Sequence, residues 1–147
     1  MSRFRIAGLA LAVCAALTVG AALGWPGAAS GSTGPVTVDL VIHYSHFSLS
    51  ALVVHRGQSV RFVVHNTDPI DHELIVGDRQ VQDTHEHGAD LDHDGSVRGQ
   101  ISVPAETTVS TTVVFTPAFI GSGGLQFACH VPGHFAYGMH GTIEVIT

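Results

Sequence analysis

From Val36 the chain alternates, with Val36, Val38, Leu40 and Ile42 apolar against Thr37 and Asp39, the period of two expected of a half-buried strand. Gly57-Gln58 introduces a second such run, in which Val60, Phe62 and Val64 share a face, and Asn66-Thr67-Asp68-Pro69 ends it with turn-forming residues. His72–Val76, Gln100–Val103, Thr107–Phe115, Leu125–Cys129 and Gly141–Ile146 repeat the pattern. Within them Val109, Val113 and Phe115 fall on one face, as do Leu125, Phe127 and Cys129. Between Gly77 and Gly99 the composition turns polar, acidic and rich in His, with no apolar period, which predicts a long loop with at most a helical turn. No stretch after residue 35 sustains a period of 3.6. About seven or eight short strands separated by Gly, Pro and Asn turns predict an all-β antiparallel sandwich.

The first 29 residues read differently. Met1–Arg5 is short and basic, Ile6–Leu23 is apolar, and Trp25-Pro26-Gly27-Ala28-Ala29 supplies a breaker and small residues, the layout of an export signal or, uncleaved, of an N-terminal membrane anchor. Residues 30–35 form a Gly/Ser/Thr linker and 36–147 the domain. This places the domain outside the cytoplasm, in the periplasm, the extracellular space or at the outer face of the cytoplasmic membrane. The 147-residue chain carries a formal net charge of −6. Two of its six Arg lie in the first five positions, leaving twelve acids against four bases in the remainder. That balance excludes a nucleic-acid binder. It also favours a basic docking surface on any protein partner.

Eleven His in such a chain direct attention to metal. With Cys14 in the leader, the domain has a single thiol, Cys129, and so no internal disulfide. Cys129 opens the segment Cys129-His130-Val131-Pro132-Gly133-His134-Phe135-Ala136-Tyr137-Gly138-Met139. Four residues separate Cys129 from His134 and four more separate His134 from Met139, so one tethered loop can wrap thiolate, imidazole and thioether around an ion. Sulfur and nitrogen donors with a weak thioether select copper, and two His with one Cys and a distant Met is the set found in electron-transfer sites. The second His must come from elsewhere. His72, after Asp68-Pro69-Ile70-Asp71 at the start of a strand, can reach the same end of a sandwich.

At these residues the sequence resembles the cupredoxins, the small blue copper proteins, over roughly Val36–Thr147. The resemblance implies a Greek-key sandwich with one copper, cycling between Cu(I) and Cu(II), held by His72, Cys129, His134 and Met139. It is nearest to exported bacterial cupredoxin-like proteins with a His-containing insert. One departure is Glu73, where many members carry Asn or Ser after the first His to steady the ligand loops.

Of the other His, 43, 46, 55 and 65 lie on or beside strands as surface or hydrogen-bonded residues, and His140 neighbours the site. His130 follows the Cys as in multicopper oxidases, but Ala128 stands where those have a second His, which argues against oxygen reduction. Asp90-Leu91-Asp92-His93-Asp94-Gly95 begins like a calcium loop, yet Ile101 occupies the twelfth position in place of Glu. His85, His87 and His93 among acidic residues form a candidate second, weaker metal site. No catalytic set accompanies these ligands, so the chain is expected to be no enzyme. The expected function is electron transfer by a monomer to a redox partner, with copper carriage or resistance as the alternative.

Overall fold

The structure is a computed structural model describing residues 35–88, 93–121 and 123–147. The expected leader, most of the linker, and Asp90 to Asp92 of the calcium-like motif lie outside the described residues. The elements in chain order are β1 (Val36–His43), β2 (His46–Phe47), β3 (Ala51–His55), β4 (Ser59–Asn66), β5 (His72–Asp78), α1 (Arg79–His87), β6 (Gln100–Val103), β7 (Thr108–Val114), α2 (Pro117–Ile120), β8 (Leu125–Ala128) and β9 (His140–Ile146).

They form two sheets, ordered β2-β1-β4-β7 and β3-β9-β8-β5-β6. The apolar faces predicted from the alternation close on one core. Leu40, Ile42, Phe62, Val64 and Val113 come from the first sheet, and Val54, Leu74, Val76, Phe127 and Ile143 from the second. Phe47 of β2 meets the Phe127 ring edge-on at 5.5 Å. Each fully buried Phe or Leu contributes about 1.5–3 kcal/mol of transfer free energy, which is what an alternating strand gains by burying one face.

The sandwich is as expected, but its sheets are mixed and not antiparallel throughout. β1 pairs with β4 in parallel, Val36 opposite Val60, and β3 pairs with β9 in parallel, Ala51 opposite Thr142. The cause is connectivity. β3 belongs to the second sheet, so the chain leaves the first sheet after β2 and re-enters it at β4, and parallel neighbours need such a crossover.

The segment predicted as a long loop opens with the nine-residue helix α1. Asp78 caps it, its carboxylate accepting from Val81 N–H at 3.1 Å. Gln82, the buried residue of the helix, replaces an apolar stripe: its amide lies 3.2–3.3 Å from the carbonyls of Ile75, Gly77 and Gln126. Among the described residues no helix is long and apolar enough to cross a membrane.

Candidate metal centre

Three neighbouring strands of the second sheet deliver the candidate ligands to one end. β8 runs antiparallel to both β5 and β9, so the start of β5, the end of β8 and the start of β9 coincide. His72 is the first residue of β5, Cys129 directly follows β8, and Met139 directly precedes β9. The intervening segment folds back on itself, with Cys129 N–H donating to Met139 O at 3.1 Å and Met139 N–H to His134 O at 3.0 Å. Gly133 and Gly138, at φ of 85° and 94°, make the left-handed bends that bring His134 back over the end of the sheet.

One ligand atom each from His72, Cys129 and His134 lies within 4.8 Å of the other two. Cys129 Sγ is 3.5 Å from His134 Nδ1 and 3.9 Å from His72 Nδ1, and the two rings are 4.9 Å apart. Cys129, Met139 and His72 are buried and His134 is partly exposed. Thus the structure brings together three of the four residues predicted as ligands and buries the fourth, Met139, at the foot of the same loop.

The nitrogen that His72 turns towards the sulfur is fixed from behind. Its Nε2–H donates to Asp68 Oδ2 at 3.0 Å, so the ring is held by a carboxylate and Nδ1 is left as the donor. Asp68 is itself buried and accepts Tyr44 N–H and Ser45 N–H, each at 2.7 Å, from a turn in which both residues are left-handed, at φ of 51° and 56°. Burial pushes the Asp68 carboxyl up, but the bonds from Ser45, Tyr44 and His72 outweigh it and leave the pKa below the usual value. Asn66 builds this corner: its amide contacts Ile70 O at 2.8 Å and Val103 O at 3.1 Å while Oδ1 accepts Asp68 N–H at 2.9 Å. Sequence reasoning saw turn chemistry in Asn66-Thr67-Asp68-Pro69 and missed that it orients a ligand. The signal was Asp68 four residues before His72.

Burial also sets the protonation of the ligands. It lowers the pKa of His72, against the pull of Asp68, and that of His134, where the neighbouring His72 adds to the effect. It pushes the Cys129 thiol up to about 12, although backbone N–H groups of Glu73 and Val131 donate to the sulfur. Both imidazoles are therefore ready donors, and the thiol yields its proton when a cation arrives. The departure at Glu73 does not loosen the loop. Its Oε1 accepts His130 N–H at 2.7 Å and ties β5 to the residue after Cys129.

The proposed second trio is not assembled as a unit. His85 and His93 are adjacent, their rings 5.0 Å apart, but His87 is exposed and its Nδ1 contacts Asp83 O at 3.0 Å. Two residues along a helix turn a side chain some 200° away, which is why His85 and His87 cannot share an ion here. His130 takes the third place, its ring 5.9 Å from that of His85. The remaining His behave as expected of surface residues: His43 contacts Thr67 Oγ1 at 2.9 Å and His65 contacts Thr108 Oγ1 at 3.0 Å.

The chain is similar to two proteins described as copper-resistant cuproprotein CopI. That of Rubrivivax gelatinosus is 35% identical over 101 residues, 67% of this chain and 59% of the relative. That of Pseudomonas aeruginosa is 28% identical over 138 residues, 74% of this chain and 75% of the relative. The chain thus spans under two thirds of the Rubrivivax protein's length. No family model matches the chain. Among solved structures, reduced auracyanin from Roseiflexus castenholzii superposes with a TM-score of 0.60 at 19% identity, covering 79% of this chain and 98% of that one. Auracyanin A from Chloroflexus aurantiacus, described as a "blue" copper protein, gives 0.56 at 22%, covering 77% and 100%. At these identities the likeness is one of fold.

Proposed function

From the premise that the chain has the cupredoxin fold, we propose that it is an exported protein holding one copper ion and passing single electrons between partners outside the cytoplasm. One observation carries the reading: at one end of the sandwich a buried thiol, a buried imidazole and a partly exposed imidazole offer donor atoms that lie within 4.8 Å of one another. Two nitrogens and a thiolate are the donors that suit copper in both valences, and Met139 supplies a weak thioether. Bound there, copper would supply a Cu(II)/Cu(I) couple.

The rest is done by the chain. Asp68 holds His72 from behind, the loop's backbone bonds hold His134 and Met139, and N–H groups of Glu73 and Val131 steady the sulfur. A ligand set held this firmly reorganises little when charge arrives or leaves, which keeps electron transfer fast. His134 is the ligand nearest solvent, and exposed Pro132 and Tyr137 flank it, giving an edge for a partner to touch. The acidic body favours a basic partner docking on a monomer.

A second reading, copper carriage in resistance, is favoured by the names of both CopI relatives. Visible and EPR spectra of the Cu(II)-loaded protein with a redox titration separate the two. An intense blue band that bleaches and returns reversibly, and that Cys129→Ser abolishes while the fold persists, supports the shuttle. Copper lost to a chelator on each reduction supports carriage, and a band unchanged in Cys129→Ser overturns the site.

A further inference from the structure

On the face of β8 opposite the candidate copper ligands, α1 and the ligand loop enclose a second group of imidazoles. His85 Nδ1 faces Val81 O at 2.8 Å, and because a carbonyl only accepts, the ring proton is on Nδ1. His85 Nε2 is then a bare lone pair, and it is buried without any hydrogen-bond partner. A backbone carbonyl behind one nitrogen and a lone pair at the other is how metal-binding His are oriented.

The His85 ring faces His93 at 5.0 Å and a tilt of 43°, nearly the relation of His72 to His134, at 4.9 Å and 37°. His130, whose side chain is 2% exposed, has its ring 5.9 Å from that of His85. Both nitrogens of His130 face acceptors: Nδ1 is 2.8 Å from Glu86 Oε2 and Nε2 is 2.7 Å from Gln82 Oε1. The Gln82 orientation is settled by its amide nitrogen, which faces three backbone carbonyls. Only a doubly protonated ring donates to both, and an ion at Nδ1 would take the place of the proton beside Glu86. An ion that draws these side chains together would give His85 Nε2 its missing partner and replace the His130 proton that faces Glu86; in the structure they stand further apart than the His72, Cys129 and His134 donors, whose atoms lie within 4.8 Å of one another.

We propose that His85, His130 and Glu86, with His93 beside them, form a second site for a divalent transition ion such as Zn(II) or Cu(II). A cleft of about 280 Å³ lined by His85, Glu86, Gly88, His130, Pro132 and Gly133 gives the ion its way in. Nitrogen with one carboxylate suits these borderline ions and not Cu(I). The site is independent of the first, although His130 follows Cys129 in the chain and a charge here is felt by the sulfur.

The test is calorimetric titration of the copper-loaded protein with Zn(II), following the visible band. One equivalent of Zn(II) should bind without loss of the band. His85→Ala and Glu86→Gln should each weaken it at least tenfold, and His87→Ala should leave it unchanged. Cys129→Ser should still take up the second ion, which separates this site from the fate of the first. No Zn(II) bound to the parent protein, equal binding in His85→Ala, or loss of binding in His87→Ala would overturn the proposal.

Discussion

Asp68 shows how much a single carboxylate can decide at the residue scale. It fixes the tautomer of His72 and sets a negative charge one ring away from the candidate copper position. Asp68→Asn keeps an oxygen that can accept Nε2–H but removes the charge, so Cu(II) loses more stabilisation than Cu(I). The expected result is a raised reduction potential with the visible band retained, read by redox titration. Asp68→Ala loses the acceptor as well and should weaken copper binding about 10–100-fold. A potential unmoved by Asp68→Asn would mean that the residue only shapes the corner. Met139→Leu tests the other side of the same balance. Removing a weak thioether from a buried position disfavours Cu(II), so copper should stay bound at a higher potential, and a lowered potential would exclude Met139 as a ligand.

At the scale of elements, strand β9 begins against the ring of Phe127. A Cβ built at Gly141 would approach that ring to 2.1 Å, deep inside contact distance, while the ring is enclosed by the core. Gly141→Ala must therefore push Phe127 or the β8–β9 ladder aside. The expected loss is about 1–3 kcal/mol of stability, measured by denaturant unfolding, with weakened copper binding because Cys129 and Met139 flank these strands. Most strands were legible from the sequence: β1, β4 and β7 bury one face and so alternate, whereas β5 is buried on both faces and showed only as a short apolar run, and β2 and β3 were not among the strands read. The helix α1 was not legible, because its inward positions are Gln82 and His85, which bond to backbone carbonyls and leave no apolar period to detect. The parallel pairings were equally hidden: alternation states that a strand has a buried face but not which neighbour lies beside it. The candidate ligands of the loop were legible because Cys129, His134 and Met139 are close in sequence. The partnership of His85 with His130 was not, since it depends on where α1 packs.

For the whole molecule, the ligand protonation states translate into a stability profile that differs with and without copper. In the metal-free chain His72 and His134 have pKa values below 6.5 in the fold and near 6.5 when unfolded, so on acidification the unfolded chain takes up protons first. Stability then falls as the pH drops below about 6.5. The Cys129 thiol behaves oppositely, ionising near 9.0 when unfolded but only at about 12 in the fold, so stability falls again as the pH rises from 9 towards 12. Between these limits neither group contributes a slope. Copper changes the sign of the thiol's contribution. The loaded fold holds a thiolate, whereas the unfolded chain holds a thiol below about 9, so stability rises with pH up to that point and the alkaline fall due to Cys129 vanishes. Thermal midpoints between pH 5 and 11, with and without copper, should trace the two profiles. Cys129→Ser supplies the decisive comparison, because its metal-free profile must lack the alkaline fall. A fall of equal size in that variant would place its origin elsewhere and show that the buried thiol does not carry the linkage.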